Sequence, residues 1–261
     1  MRFLKNIYSK YKFLWRSHKA HLKDHRCEIQ ALLGPVREGH VAIDIGANKG
    51  SFTHALAKKV GISGRAIAFE PQPVLASYLR DMFSSLKLVQ CEVIEMGLSD
   101  NSGSSQLFCP PTGNSPSASL VPGDHIPTDW ISHEIPLTTL DDFLKNETRK
   151  ISCIKIDTEG HEWEVLKGAE QTIQKNLPTL VFECEQRHLL NATVEDILNW
   201  VKALGYTGTF VCRGRRRPLE EFRIELHQKQ SSSDYWNSRF YCNNFIFEPL
   251  NSLTYENETH Y

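Results

Sequence analysis

Residues 41–60, "VAIDIGANKGSFTHALAKKV", constrain the fold more than any other stretch. A five-residue apolar run is too short for a helix and too uniformly apolar for a half-exposed strand. It therefore reads as a strand buried on both faces, and the glycine turn and helical pattern behind it make a strand–loop–helix unit. The same alternation recurs. "RAIAFE" (65–70) reads as a strand, residues 74–83 as a helix opened by Pro71 and Pro73, and "KLVQCEVI" (87–94) as a third strand. Later, "ISCIKID" (151–157) is a strand, 161–175 a helix, "TLVFECE" (179–185) a strand and 194–205 a helix ended by Gly205. Apolar strands alternating with helices predict a mostly parallel sheet covered on both faces. "TGTFVCR" and "NNFIFEP" close the pattern with no helix read between them, so they are expected to pair antiparallel.

Two regions stand outside the alternation. Residues 1–35 form an N-terminal segment. Up to Arg26 it holds eight basic residues against one acid, Asp24, with Phe3, Tyr8, Tyr11, Phe13 and Trp15 interleaved. Such a segment suits either a leading helix packed on the domain or peripheral contact with an anionic membrane surface. Residues 99–135 are rich in Ser, Pro, Gly and Asn and read as an irregular substrate or lid loop, with one strand at 105–109. In "HEIPLTTLDDFLKN", Thr139 or Asp141 is placed to cap a short helix. The domain proper is then 36–250, followed by a tail at 251–261. Arg213, Arg215, Arg216 and Arg217 are expected at a hairpin tip, where they are either solvated or grip an anionic group.

Composition excludes several classes. Lys plus Arg (30) nearly balance Asp plus Glu (31), so no global field recruits nucleic acid. Seven scattered cysteines without a Cys-x-x-Cys pair argue against a disulfide framework and a zinc site. No run is long and apolar enough for a membrane span, and the start has no secretory pattern, which makes a cytoplasmic enzyme the expectation. Oligomeric state leaves no trace in the sequence.

The turn at 46–50 limits its ligand. A triphosphate loop needs G-x-x-x-x-G-K-[S/T], and here the second glycine comes one residue early, followed by Ser51 and Phe52. A dinucleotide turn wants a glycine where Asn48 stands. A nucleoside without phosphate fits better: Asp44, Gly46 and Ala47 suit a zwitterionic amino-acid tail, and the Glu70 carboxylate offers two acceptors to ribose hydroxyls. S-adenosylmethionine has both features. A nicotinamide-dependent sugar oxidoreductase or epimerase remains the alternative, as does a non-catalytic nucleoside-binding module.

"DIGANKGSF", "AFEPQP", "PLTTLDDF" and "IKIDTEGHEWEVLKGA" together resemble the FkbM family of S-adenosylmethionine-dependent methyltransferases, over about residues 40–185. The resemblance implies a Rossmann-like class I methyltransferase fold, an α/β architecture with seven strands whose last is inserted antiparallel. It further implies O-methylation of a hydroxyl, often on a sugar or glycan. It puts Asp44, Gly46, Asn48 and Gly50 in the cofactor turn, Glu70 on the ribose, and Glu95 and Met96 near the adenine; Ala47, Phe52 and Pro71 are further cofactor-binding candidates beside them.

Catalytic groups are expected where parallel strands end. A sugar hydroxyl needs its proton removed, and His161, Glu159 and Asp157 are the candidate bases, with His161 first because its ordinary pKa lies near neutrality. Asp157, Glu183 and Glu185 are alternatively candidate ligands for Mg²⁺. Trp163 and Trp200 are expected in the core.

Overall fold

The computed structural model describes residues 2–111, 118, 120, 127–189, 192–230, 235, 238 and 240–250, with side chains from Ile7 onward. The expected 251–261 tail lies outside the described residues, as does much of the segment between 112 and 126.

The central sheet runs β10–β9–β11–β8–β7–β1–β2–β3. Its strands are β1 (Val41–Ile45), β2 (Arg65–Phe69), β3 (Cys91–Ile94), β7 (Ile151–Ile156), β8 (Thr179–Glu183), β9 (Tyr206–Cys212), β10 (Arg215–Pro218) and β11 (Asn244–Pro249). From β3 to β8 every pairing is parallel, and β11 enters antiparallel between β8 and β9, with Phe245 opposite Phe210. The mostly parallel α/β class and the antiparallel closing strand are as expected. The strand count is eight rather than seven, because "RRRP" forms β10 along β9. The tight turn in this region is the β9–β10 link, where Arg213 and Gly214 both take positive φ, 53° and 69°. Two such residues match the right-handed twist of the hairpin arms. The β9–β11 connection also holds a one-turn helix, α9 (Ile224–His227).

Side-chain alternation along β1 divides the core. Val41, Ile43 and Ile45 join the face covered by α5 (Leu140–Leu144), α6 (Glu162–Lys167), α7 (Glu170–Asn176) and α8 (Val194–Ala203). Ala42 points to the face covered by α2 (Arg26–Leu33) and α3 (Ser51–Val60). α4 (Pro73–Ser85) and the first helix, α1 (Arg2–Lys19), pack Leu79, Met82 and Phe83 against Phe13 beside them. Of the α1 aromatics whose side chains are described, only Phe13 is buried, while Tyr8, Tyr11 and Trp15 are exposed. The expectation that this helix packs its aromatics on the domain therefore holds for one ring alone.

The stretch 99–135 is also more regular than read. β5 (Gly103–Cys109) pairs antiparallel with β6 (Ile131–Thr138), and β6 carries β4 (Gly97–Leu98) on its other side. Thr139 caps α5 by accepting from Asp142 N at 3.0 Å. Asp141 serves a different helix, accepting from Gln171 N and Thr172 N at the start of α7. The helix expected over 161–175 breaks into α6 and α7 at Gly168, where a Cβ would stand 2.0 Å from the Ser99 carbonyl oxygen. Trp163 and Trp200 meet edge to face against the core, 5.3 Å between centroids. All seven cysteines are free thiols, and among the described residues no helix is long and apolar enough to cross a membrane.

Candidate active site

At the carboxyl ends of β1, β2 and β7 a cavity opens, lined by Gly46, Asn48, Glu70, Pro71 and Gln72 on one side and Asp157, Thr158 and Glu159 on another. Met96, Gly97, Leu98, Leu107 and Leu120 add an apolar wall. Leu107 comes from β5, so the excursion between β3 and β7 roofs the cavity.

The turn after β1 is shaped from beneath. Asp44 is buried at 1% exposure, and its Oδ2 accepts from Thr53 N at 2.9 Å and Thr53 Oγ1 at 2.5 Å. It thereby caps α3, whose own N-cap, Gly50, has no side chain to do so. The other oxygen, Oδ1, is buried with no hydrogen-bond partner, and the Lys155 ammonium lies 3.5 Å away. Lys155 answers the charge of this oxygen but makes no hydrogen bond to it, so a further donor would still stabilise it. The two glycines have different reasons. At Gly46 (φ 72°) a Cβ would stand 1.8 Å from the Asp157 carbonyl oxygen, so the turn and β7 touch backbone to backbone. At Gly50 the obstacle is packing, with Leu79 Cδ2 2.6 Å away and Phe83 and Phe13 behind it.

Glu70 is 2% exposed and holds the turn from β2. Its carboxylate accepts from Asn48 N at 2.7 Å, from Gln72 N at 3.0 Å and from the Gln72 side chain, fewer donors than its two oxygens can take. Burial pushes its pKa up to about 7 against the pull of those donors. Lys155 had no role in the sequence reading, although a lysine within a fully buried strand was the available signal. Its ammonium donates to Gly46 O at 2.9 Å and pairs with Asp157 at 3.2 Å. Burial opposes its charge, but Asp157 and Asp44 overcome this and raise its pKa to about 12.

After β7 the chain turns through Glu159 (φ 52°) and Gly160 (φ 104°). Glu162, buried at the start of α6, organises this loop by accepting from Thr158 N, Thr158 Oγ1 and Gly160 N. Glu159 lines the cavity, and burial together with Asp157, Glu162 and Glu185 pushes it up to about 8.

Several expected residues stand elsewhere. His161 does not line the cavity. Its Nε2 is 2.9 Å from Ser99 Oγ and its Nδ1 3.7 Å from Glu164, in a network that continues through Lys167 to Asp100. Burial lowers its pKa despite Glu164 and Asp100. Glu95 turns outward and pairs with Arg80 at 2.7 Å, leaving Met96 to line the cavity. Phe52 is on α3 between the His25 ring and the Lys155 ammonium, and Ala47 is packed in the α1–α4 core.

The carboxylates read as Mg²⁺ ligands are committed to protein donors. Asp157 pairs with Lys155, and Asn243 Nδ2 bridges Glu183 and Glu185 at 2.6 and 3.0 Å. Glu185 also accepts from Arg187 and from Tyr241 Oη. Among the described residues no three His, Cys, Asp or Glu side chains gather as a metal site requires, so the Mg²⁺ reading has no support.

The chain resembles several known proteins. The hexuronic acid methyltransferase AglP of Haloferax volcanii is 28% identical over 162 residues, 62% of either chain, so the match spans somewhat less than two thirds of that relative. A methyltransferase FkbM from Methylobacillus flagellatus aligns with 94% of this chain and 60% of its own, at 16% identity and a TM-score of 0.49. A SAM-dependent O-methyltransferase from Thermotoga maritima aligns with 87% and 65%, at 14% identity and a TM-score of 0.43. The Methyltransferase FkbM domain matches residues 44–207, from the buried acid of the first strand into the start of β9. That span takes in the turn, Glu70, Lys155 and the Glu159 loop, and the chain belongs to the FkbM methyltransferase family.

Proposed function

We propose that the chain transfers a methyl group from S-adenosylmethionine to a sugar hydroxyl, with Glu159 as the general base. The observation that carries this reading is one cavity walled by the Asn48 turn and Glu70 on one side and by Glu159 on the other. Three features fit the cofactor: the buried Asp44 Oδ1, which has the Lys155 ammonium nearby but no hydrogen bond, a turn too tight at Gly46 for any Cβ, and the remaining acceptor capacity of Glu70. Asp44, buried behind the turn and not itself lining the cavity, would supply the negative field for the ammonium of the amino-acid tail. Glu70 would accept from the ribose hydroxyls, and Met96 and Leu98 would flank the adenine.

When bound, the cofactor supplies an electrophilic methyl carbon on a positively charged sulfur. The chain's part is alignment and proton removal. Glu159 would take the proton of the acceptor hydroxyl onto a carboxylate oxygen as the oxygen attacks. A carboxylate with a pKa of about 8 is a far stronger base than an ordinary one. Leu107 and Leu120 would keep bulk water from competing as the nucleophile. The AglP relative acts by its name on a hexuronic acid, which makes uronic acids and their glycans the first acceptors to test.

Titration with S-adenosylhomocysteine tests the cofactor, and methyl transfer from labelled cofactor to uronic and neutral sugars tests the acceptor. Micromolar binding that NAD does not reproduce, followed by alkali-stable label on sugar, is the expected result. Binding without transfer to any hydroxyl acceptor would overturn the O-methyl assignment, and no binding would overturn the cofactor.

A further inference from the structure

α1 has two apolar faces, and the domain uses one. At about 100° per residue, Phe13 and Ser17, with Ala20 just past the end of α1, fall within roughly 60° of one another, and all three are buried. Ile7, Tyr8, Tyr11, Leu14 and Trp15 fall on the opposite side of the helix, centred about 160° away. Their exposures run from 39% to 67%, and Leu22, just beyond the helix, is 58% exposed. Lys12 and Lys19 flank this outer face on one side, with Lys23 in the turn that follows. The sole acid of the first 26 residues, Asp24, is paired with Lys19.

We propose that the outer face of α1 docks on an anionic lipid bilayer. The side chains suit that occupant: Tyr and Trp favour the headgroup boundary, the aliphatic groups enter below it, and lysines along one flank meet lipid phosphates. A second copy of the chain fits less well, because self-contact would bring lysine flanks together with no acid on the face to answer them. The docked helix is keyed to the cofactor turn. Arg16 Nη2 donates to Lys49 O at 3.1 Å and to Tyr78 Oη at 3.0 Å, and Phe13 packs beneath Gly50. Docking would therefore hold the turn about one helix diameter, ~10 Å, from the headgroups. The docking itself is independent of which acceptor is methylated.

Co-sedimentation of the full chain with vesicles tests this, comparing phosphatidylcholine alone with phosphatidylcholine–phosphatidylglycerol mixtures. Binding is expected only to the anionic vesicles, and should fall as salt is raised. Lys12→Gln with Lys23→Gln should weaken it about fivefold per lysine. Tyr11→Ser with Leu14→Ser and Trp15→Ser should weaken it by more than about tenfold. Both variants alter exposed positions and should melt with the parent; were the apolar variant to unfold, the lysine variant alone would decide. A parent chain that stays in the supernatant, or a folded variant that binds as the parent does, overturns the proposal. So does a dimer in light scattering, without lipid, that the apolar variant abolishes, since the face would then belong to a second copy.

Discussion

Glu159 and Glu185 stand beyond the ends of neighbouring strands, β7 and β8, yet their surroundings push them in opposite directions. Burial would raise Glu185, but Arg187, Tyr241 and Asn243 all donate to it and hold its pKa near 2. Glu159 is only half-buried, but its loss of solvent adds to the charges of Asp157, Glu162 and Glu185, opposed by Arg187, and its pKa rises to about 8. Two carboxylates a strand apart are thus driven to opposite ends of the carboxylate range, and the proposed function takes the raised one as its proton acceptor. Pairs of titratable groups driven apart by their environments are how one site keeps separate roles. The difference lies in where the donors point, since both residue types are the same.

The largest expected effect tests that difference directly. Glu159→Gln keeps the shape and removes the base, so kcat should fall by about 10²–10⁴ while S-adenosylhomocysteine affinity is retained. His161→Gln should cost only a few-fold, because that ring faces Ser99. If the ranking came out reversed, the base would be His161 and the contrast between the two glutamates would lose its catalytic meaning.

The same pair predicts the pH response. At saturating cofactor, kcat/KM for the acceptor should climb about tenfold per pH unit and level off near or below 8, since a bound positive sulfonium favours the ionised carboxylate. Stability should run the other way. Glu70, Glu159 and Glu162 have folded pKa values of about 7, 8 and 7, above the ordinary 4.5. Their stabilising contribution is complete below pH 4.5 and is lost as pH rises through 7 to 8. At lower pH, His40, His54, His161 and His227, all lowered by burial, give the opposite slope. The melting temperature of the ligand-free protein should therefore fall between about pH 7 and 8.5, less steeply in Glu159→Gln. A melting temperature that rises over this range would mean these carboxylates are ionised throughout.

Asp44 is intermediate between the two glutamates, with one oxygen hydrogen-bonded by Thr53 and the other facing only the Lys155 ammonium at 3.5 Å, without a hydrogen bond. Asp44→Asn should weaken S-adenosylhomocysteine binding about tenfold, through loss of the buried negative charge behind the ammonium's place. Calorimetry with S-adenosylhomocysteine and with adenosine separates this from general damage, since adenosine lacks the ammonium and should lose little.

Glu185→Gln acts mainly on the fold. Arg187 and Tyr241 lose their charged acceptor, at a cost of about 1–3 kcal/mol in denaturant titration. Because Glu185 also helps raise Glu159, the pH–rate break should move downward in this variant. An unmoved break would show that the two carboxylates do not sense each other.

How much of this was legible in the sequence follows from the range of the forces involved. The β1–turn–α3 unit and Glu70 are local: short apolar runs, a glycine turn and an acid at a strand end carry their meaning within about thirty residues. β10 was invisible because "RRRP" is exposed on both faces and so has no alternation to read. Gly168 looked like an ordinary helix position until the Ser99 carbonyl crossed it. His161 was ranked first on its ordinary pKa, but which way a ring turns depends on Ser99, sixty-two residues away. The grip on Glu185 comes from Arg187, close in sequence, and from Tyr241 and Asn243, which arrive with β11.

The smallest expected effect concerns a third carboxylate at a strand end. Glu95 follows β3 as Glu159 follows β7, but it faces solvent and pairs with Arg80. Exposed pairs contribute about 0–1 kcal/mol, so Glu95→Gln should change stability within that range and leave S-adenosylhomocysteine affinity unchanged. Its neighbour Met96 lines the cavity, and Met96→Ala should weaken binding by a few-fold through lost apolar contact. The adjacent pair thereby asks whether exposure alone decides a strand-end residue's part. Should Glu95→Gln weaken the affinity tenfold, the carboxylate must swing inward to the adenine when the ligand binds. The crowded, the gripped and the solvated carboxylate would then be a property of the ligand-free cavity, and Glu159 too would need its pKa judged with the cofactor in place.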